Sequence, residues 1–369
     1  MPLAEAGAAP EFQPLDWIDP IMTTTLATPE TISVADAQRF DEAALADYLT
    51  TTIGVELTCI REMSAGQSNP TFLIAAGDAE FVLRKRPPDK LVPSAHAIDR
   101  EYRALGALCD TAVPVPRPIA WCDDASLIGP PFYLMERLRG RIFTDPLLPD
   151  VPKGERRAIY FSMAETLGAL HRIPWEQSAM RDFDAPSNFY KRQLARWTGQ
   201  WAKYPDQSIP AIDRLADWLP ARLPDETPTA IVHGDFRLPN IMFHPVEPRV
   251  VGVLDWELST LGASVADLAH NCINYFMPPE NPSALTGHNL VGVGIPLEDE
   301  YLEHYSATVG RRETLGAFHK AFALFRLAVI SAGIAARAKA GIASNARAVE
   351  VGARSRHIAE QGWRIARLG

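Results

Sequence analysis

The residues able to do chemistry crowd into the stretch from Ile231 to His270. Within it, His233-Gly234-Asp235-Phe236-Arg237-Leu238-Pro239-Asn240 reads as a tight polar loop between two apolar, strand-like runs, Ala230 to Val232 and Ile241 to Phe243. Such a loop displays Asp235 and Asn240 together. A further strand, Val250 to Leu254, ends in Asp255, fifteen residues after Asn240, and a hairpin across His244 to Arg249 would deliver this second carboxylate to the same place. Two carboxylates and an amide make a hard-oxygen site of the kind Mg²⁺ favours, since that ion keeps several waters and takes its other ligands from substrate phosphates. Phosphoryl transfer needs such a set: one carboxylate orients a hydroxyl and takes its proton, while the other groups hold the metal that neutralises phosphate charge. A lone His-Gly-Asp is usually a solvated turn; the three-part spacing singles this one out.

These groups need a scaffold, and the periodicities supply one. Phe40 to Leu49 has helical spacing, and Glu56 to Met63, Phe72 to Ala75 and Phe81 to Arg86 read as three strands of an antiparallel sheet. Ser64-Ala65-Gly66-Gln67-Ser68-Asn69 falls between the first two strands, where the free N–H groups of a turn can meet phosphate oxygens, though an ordinary hairpin turn reads the same way. In Phe81 to Arg86, strand alternation puts Val82 and Arg84 on one face and Leu83 and Lys85 on the other, so the two cations cannot serve one site equally. Ala95 to Leu108 is helical, and proline-marked turns bracket strand-like segments ending in Phe132 to Leu138. Arg139-Gly140 reads as a hinge. Beyond it the chain turns helical over Lys153 to Arg172, Tyr190 to Lys203, Ile209 to Leu223, Glu298 to Val309 and most of Leu315 to Arg367. The expected class is α+β, with an extension over residues 1–38, a small sheet lobe over 39–138 and a larger helical lobe over 139–369.

Composition narrows the function. With 36 Lys+Arg against 45 Asp+Glu the 369-residue chain carries −9, which argues against nucleic acid or an anionic membrane as main partner. At 47% hydrophobic and 22% charged it is globular, and its most apolar stretch, Ala321 to Ala336, is broken by Arg326, so no membrane span is expected. Met1 to Asp19 shows no secretory pattern, and Cys59, Cys109, Cys122 and Cys272 lack metal or disulfide spacing. A cytoplasmic protein with reduced thiols, monomeric or homodimeric, is expected.

His-Gly-Asp with Asn five residues after the Asp, followed by Val-Leu-Asp-Trp-Glu at 253–257, resembles the aminoglycoside phosphotransferase family, kin of choline kinases and protein kinases. The resemblance implies a bilobal protein-kinase-like fold that binds ATP and Mg²⁺ between its lobes. By the same resemblance Asp235 is the catalytic base, Asn240 and Asp255 ligate Mg²⁺, and Arg237 lies near the transferred phosphate. His233 and Asp267 correspond to loop-bracing residues, and Glu257 either ligates metal or fixes the loop after Asp255. On the nucleotide side, Gly66, Ser68 and Asn69 belong to the phosphate-covering turn, Arg84 takes the place of the kinase lysine with Glu101 as its helix partner, and Glu136 to Leu138 offer backbone hydrogen bonds to adenine.

The resemblance implies that the acceptor is a small-molecule hydroxyl. The segments LRKRPPDKLVPSAHAIDREYRAL, HGDFRLPN, PRVVGVLDWELSTLG and GVGIPLEDEYLEHY are similar to kinase-like proteins related to the domain fused to some acyl-CoA dehydrogenases, which implies a hydroxyacyl-CoA or hydroxy acid. From Leu315 to the end, nine Lys+Arg stand against Glu350 and Glu360, a basic balance that suits an anionic CoA ester better than a cationic aminoglycoside, although Arg on Ala-rich helices is commonly solvated. The competing readings are an aminoglycoside or choline-like alcohol kinase, and a nucleotide-binding pseudokinase, against which the intact Asp235, Asn240 and Asp255 argue. A true protein kinase is disfavoured by the lack of DFG with a following APE. Pro278 to Pro296 reads equally as a mobile loop over the acceptor or a passive connector, His171 as a packing histidine, and Trp197 with Trp201 as core more than acceptor pocket.

Overall fold

The computed structural model describes residues 31–32, 34, 39–63, 69–87, 97–183, 187–204, 206–225, 228–339 and 348–369. Gly66 and Ser68 lie outside the described residues, as does most of the expected N-terminal extension.

The first half forms a six-stranded antiparallel sheet in the order β1-β2-β3-β4-β6-β5. Its strands are β1 (Thr31–Ile32), β2 (Leu57–Met63), β3 (Thr71–Ala76), β4 (Ala79–Lys85), β5 (Pro118–Cys122) and β6 (Phe132–Glu136). Helix α1 (Glu42–Ile53) starts where the Asp41 carboxylate accepts the N–H groups of Ala43 and Ala44, both at 3.0 Å, and ends at Gly54 in the left-handed region. Its Leu45 and Leu49 bury against Phe72, Ile74, Phe81, Leu83 and Leu134 on one sheet face. The opposite face presents Val82, Tyr133 and Met135 to helix α2 (Ala97–Leu108), and this packing merges with the core of the second half. The strand period of two therefore sorts β4 between two environments. Lys85 lies over the Phe40 ring at 4.7 Å on the α1 side, while Arg84 faces the inner side with α2.

A short helix α3 (Ala125–Ile128) joins β5 to β6, and the chain then passes through Arg139-Gly140 into β7 (Arg141–Ile142). The expected hinge is not a free swivel: β7 pairs with β9 (Ile241–Phe243), so the chain is tied to the site-bearing region from the residue immediately after Gly140. The second half is mainly helical, with α4 (Lys153–His171), α5 (Phe189–Trp201), α6 (Pro210–Trp218), α7 (Ser264–Asn271), α8 (Leu290–Val293), α9 (Glu298–Val309), α10 (Ala317–Lys339), α11 (Ala348–Ala353) and α12 (Ser355–Leu368). Two small sheets interrupt it, β10-β9-β7 and β11-β8, where β8 is Thr229–Val232, β10 is Val250–Val253 and β11 is Thr260–Ala263. Helix α10 is long and apolar enough to cross a membrane by length and composition, but Phe318, Phe322, Phe325 and Val329 bury it in the core, and α6, α11 and α12 pack on it.

Candidate active site

The loop after β8 is held by a buried carboxylate. Asp267 of α7 accepts the N–H of His233 at 2.7 Å and of Gly234 at 3.0 Å. Burial works to raise the Asp267 pKa, but His171 and the His233 N–H outweigh it and hold the carboxyl below its ordinary value. His171 lies 3.5 Å from Asp267 and 2.6 Å from the Tyr305 hydroxyl, which makes it scaffold for this brace. His233 accepts the Asp235 N–H on Nδ1 at 3.1 Å, so its Nε2 carries the proton and donates to the Leu254 carbonyl at 2.9 Å. One neutral imidazole thus ties the loop to the end of β10. Gly234 is required at its position: φ is +84°, and a Cβ would stand 2.6 Å from the Leu258 carbonyl oxygen.

The β9–β10 hairpin delivers Asp255 as expected, with the Leu254 N–H bonded to the Asn240 carbonyl at 2.9 Å. Asp255 has φ +69° and ψ 60°, a left-handed conformation that a non-glycine residue adopts at a cost. Trp256, fully buried, donates from its indole to the Val253 carbonyl at 2.9 Å and pins the turn.

Asp235 is the most heavily coordinated carboxylate here. Its Oδ1 accepts His270 Nε2 at 2.9 Å, and its Oδ2 accepts Asn240 Nδ2 at 2.8 Å and Arg237 Nε at 2.9 Å. Burial pushes its pKa up, yet the His270 hydrogen bond and the Arg237 charge overcome this and bring it well below the usual carboxylate range. Burial lowers the His270 pKa, so this imidazole is neutral and donates its single proton to Asp235; its Nδ1 is buried without a partner. Because Asn240 uses Nδ2 on Asp235, its Oδ1 remains available to a cation.

The nucleotide-side residues reach the same cleft. Arg84 forms a buried ion pair with Glu101 and approaches Asp255 Oδ1 with Nη2 at 3.4 Å. Burial raises the Glu101 pKa against the pull of Arg84. Asn69, the one described residue of the expected phosphate turn, donates from Nδ2 to Glu257 Oε2 at 3.1 Å, in the segment after Asp255. Leu138 lies over Gly252 of β10, whose missing side chain leaves it room. At Glu136 the N–H donates to the Arg117 carbonyl at 2.9 Å and the carboxylate accepts the Arg117 N–H at 3.2 Å, which leaves its carbonyl as the backbone group for an adenine contact.

Two residues escaped the sequence reading. His270 lies one helical turn beyond the bracing Asp267, at i+3 on the same α7 face, and that spacing was its signal. Arg326, placed mid-helix in an apolar run, donates from Nη2 to the Gly234 carbonyl, and its Nε is buried without a partner. Trp201 is core, bonded to Asp213 at 2.8 Å, whereas Trp197 packs in the core and also edges an open cleft.

The sequence profile of the phosphotransferase enzyme family matches residues 60–302. The chain belongs to that family. Members are phosphotransferases. Acyl-CoA dehydrogenase family member 10 of Mus musculus is 40% identical over 347 residues, 92% of this chain and 32% of its own length. Acyl-CoA dehydrogenase family member 11 of Rattus norvegicus is 39% identical over 350 residues, 92% of this chain and 45% of its own. The phosphotransferase chain thus spans less than half the length of these relatives. A Ralstonia eutropha crystal structure named a candidate aminoglycoside phosphotransferase is 40% identical with a TM-score of 0.80, covering 89% of this chain and 99% of its own. A thermostable aminoglycoside phosphotransferase mutant in complex with ADP and hygromycin B, 14% identical with a TM-score of 0.56, covers 87% of this chain and 98% of its own and shares the bilobal kinase-like fold.

Proposed function

We propose that this phosphotransferase moves the γ-phosphate of ATP, with Mg²⁺, to the hydroxyl of a hydroxyacyl-CoA or hydroxy acid. The supporting observation is the convergence of Asp235, Asn240 and Asp255 on one cleft that the Arg84–Glu101 pair also enters. Asn240 Oδ1 and the Asp255 carboxylate are hard oxygens that fit Mg²⁺ and would hold it, and the ion would supply neutralisation of phosphate charge. Arg84 grips the nucleotide phosphates, its charge secured by Glu101.

Asp235 receives the acceptor hydroxyl. Its three donors leave the carboxylate a weak base, so it first aligns the hydroxyl oxygen, and the proton passes to it late, as the oxygen–phosphorus bond forms. Arg237, half-exposed beside Asp235, faces the phosphate being transferred. The acceptor class draws support from relatives named as acyl-CoA dehydrogenases, which handle CoA esters, and from the basic C-terminal region. A coupled ADP-release assay with MgATP tests this: turnover on 3-hydroxybutyryl-CoA or 3-hydroxybutyrate, and none on aminoglycosides or choline, is expected. Turnover on aminoglycosides alone would refute the acceptor class and favour the reading suggested by streptomycin 3''-kinase of Streptomyces griseus, 26% identical over 56% of this chain and 74% of its own.

A further inference from the structure

Three side chains of the first half reach the segment that follows β10, at alternate positions along it. Arg84 approaches Asp255 at 3.4 Å, Asn69 donates to Glu257 at 3.1 Å, and Arg100 donates from Nη1 to the Ser259 carbonyl at 2.8 Å. The first two contacts use groups that the proposed ligands would claim: Arg84 for phosphate, Asp255 for the cation, Asn69 in the expected phosphate turn. The third joins a guanidinium to a backbone carbonyl, and the proposed ligands need neither. It is the contact that can persist when the cleft is loaded.

Local structure places Arg100 for this. Arg100 and Glu101 are successive residues of α2, about 100° apart around the helix, so Glu101 turns to Arg84 under the sheet while Arg100 turns to the second half. Helix α2 packs on the 256–258 turn, which brings the guanidinium within reach of Ser259. Its Nη2 lies 3.4 Å from the Phe183 carbonyl, and its central carbon lies 5.2 Å from the Phe183 ring centroid. Arg103, three residues on, meets the same ring at 4.8 Å and pairs with Asp99. Ser259 is fully buried, so water cannot replace Arg100 at its carbonyl. One planar fork thus serves the carbonyls of 183 and 259 together, which fixes direction as well as distance.

We infer that Arg100 is a positioning residue that holds α2, and with it the Arg84–Glu101 pair, at a set distance from Asp255, so that phosphates gripped by Arg84 meet the carboxylate side of the cleft. This inference rests on the nucleotide and metal roles proposed for Arg84 and Asp255. Arg84 and Glu101 belong to the first half of the chain, Asn240 and Asp255 to the second. Loss of Arg100 leaves each set intact and disturbs their spacing. Gripping a nucleotide without metal needs the first set; the added hold from Mg²⁺ needs both sets in register. The signature of Arg100 is therefore a loss confined to the metal-dependent part of nucleotide affinity.

The test is calorimetry of ADP with the full chain, with and without Mg²⁺, for wild type, R100Q, R100K and R103Q, beside their melting temperatures. Wild type should bind ADP more tightly with Mg²⁺. R100Q should keep the metal-free affinity and lose about tenfold of the Mg²⁺ gain, the size of one hydrogen bond from a charged group. R100K, able to reach one carbonyl, should show a smaller loss of the same sign, and R103Q, which keeps the Ser259 bond, should match wild type. Those results support the inference. A full Mg²⁺ gain in R100Q overturns it and leaves the nucleotide reading standing. A loss in R100Q that is equal with and without Mg²⁺, or that R103Q reproduces, overturns it too, since a general loosening of α2 would account for either. Should R100Q not fold, R100K is read in its place, and an undiminished gain there overturns the inference. No ADP binding by wild type, or none that Mg²⁺ strengthens, overturns it together with the roles on which it rests.

Discussion

Replacing His270 with Phe should divide activity from stability. The imidazole gives Asp235 one of its three side-chain donors, at 2.9 Å. A hydrogen bond to a charged group contributes about 1.5 to 3 kcal/mol. If that alignment is needed as the acceptor hydroxyl is activated, the loss appears in kcat as a factor of about 10 to 150, at 1.36 kcal/mol per decade. The KM for ATP should stay unchanged, because His270 touches no residue on the nucleotide side. Folding responds differently. The substitution removes a buried Nδ1 that has no partner, which returns about 1 to 3 kcal/mol against the lost hydrogen bond. The melting temperature should therefore hold steady or rise while turnover falls, and His270→Gln, whose amide restores a donor, should recover part of kcat. ADP release at saturating MgATP and acceptor, read beside thermal unfolding, decides the matter. An H270F enzyme with wild-type kcat, or one whose loss is matched by a fall in melting temperature and left unrescued by Gln, would refute this assignment of His270.

Asp235→Asn should lower kcat by about 10² to 10⁴ while MgATP still raises the melting temperature; near-full turnover would dismiss Asp235 as the base. Arg84→Met strands Glu101, which is 1% exposed, and should cost about 3 to 5 kcal/mol in urea unfolding at neutral pH. The pH sign follows from Glu101: its folded pKa is raised, to about 7 even beside Arg84, so its contribution is fully favourable below pH 4.5 and is lost as pH rises through 7. Without Arg84 that loss should be larger and extend to higher pH, and a variant more stable at pH 8 than at pH 5 would contradict it. Gly234→Ala must place a Cβ 2.6 Å from the Leu258 carbonyl oxygen and hold φ near +84°, so a loss of about 1 to 3 kcal/mol is expected with activity falling further, as the loop shifts.

The site was legible wherever its parts are close in sequence. Asp235, Asn240 and Asp255 share one loop and one hairpin, and period-two alternation is enough to separate Arg84 from Lys85, because the two sheet faces are covered by different helices. The helices emerged with boundaries shifted by a few residues for the same reason: their apolar stripes are strong. What stayed hidden came from far along the chain. His270 looked like an unremarkable residue of an Ala-rich helix, and Arg326 served only as an interruption in an apolar run. Neither local pattern says which loop lies against that helix; only the packing of α7 and α10 around the loop does. Which backbone group of Glu136 is free was not legible either, because the pairing of β5 beside β6, with the adjoining Arg117, decides it, and sequence does not reveal that neighbour.

The Gly234 carbonyl receives its guanidinium from a residue 92 positions later in the chain. That distance has a meaning during synthesis. A ribosome that has just released β8 and β9 has exposed the carboxylate loop without Asp267, His270 or Arg326, so the loop has neither its backbone brace nor the donors that fix Asp235. The signature residues emerge early and the competence to use them emerges late. A nascent or prematurely stopped chain would carry the family's motif in full and remain unable to hold an acceptor hydroxyl in line.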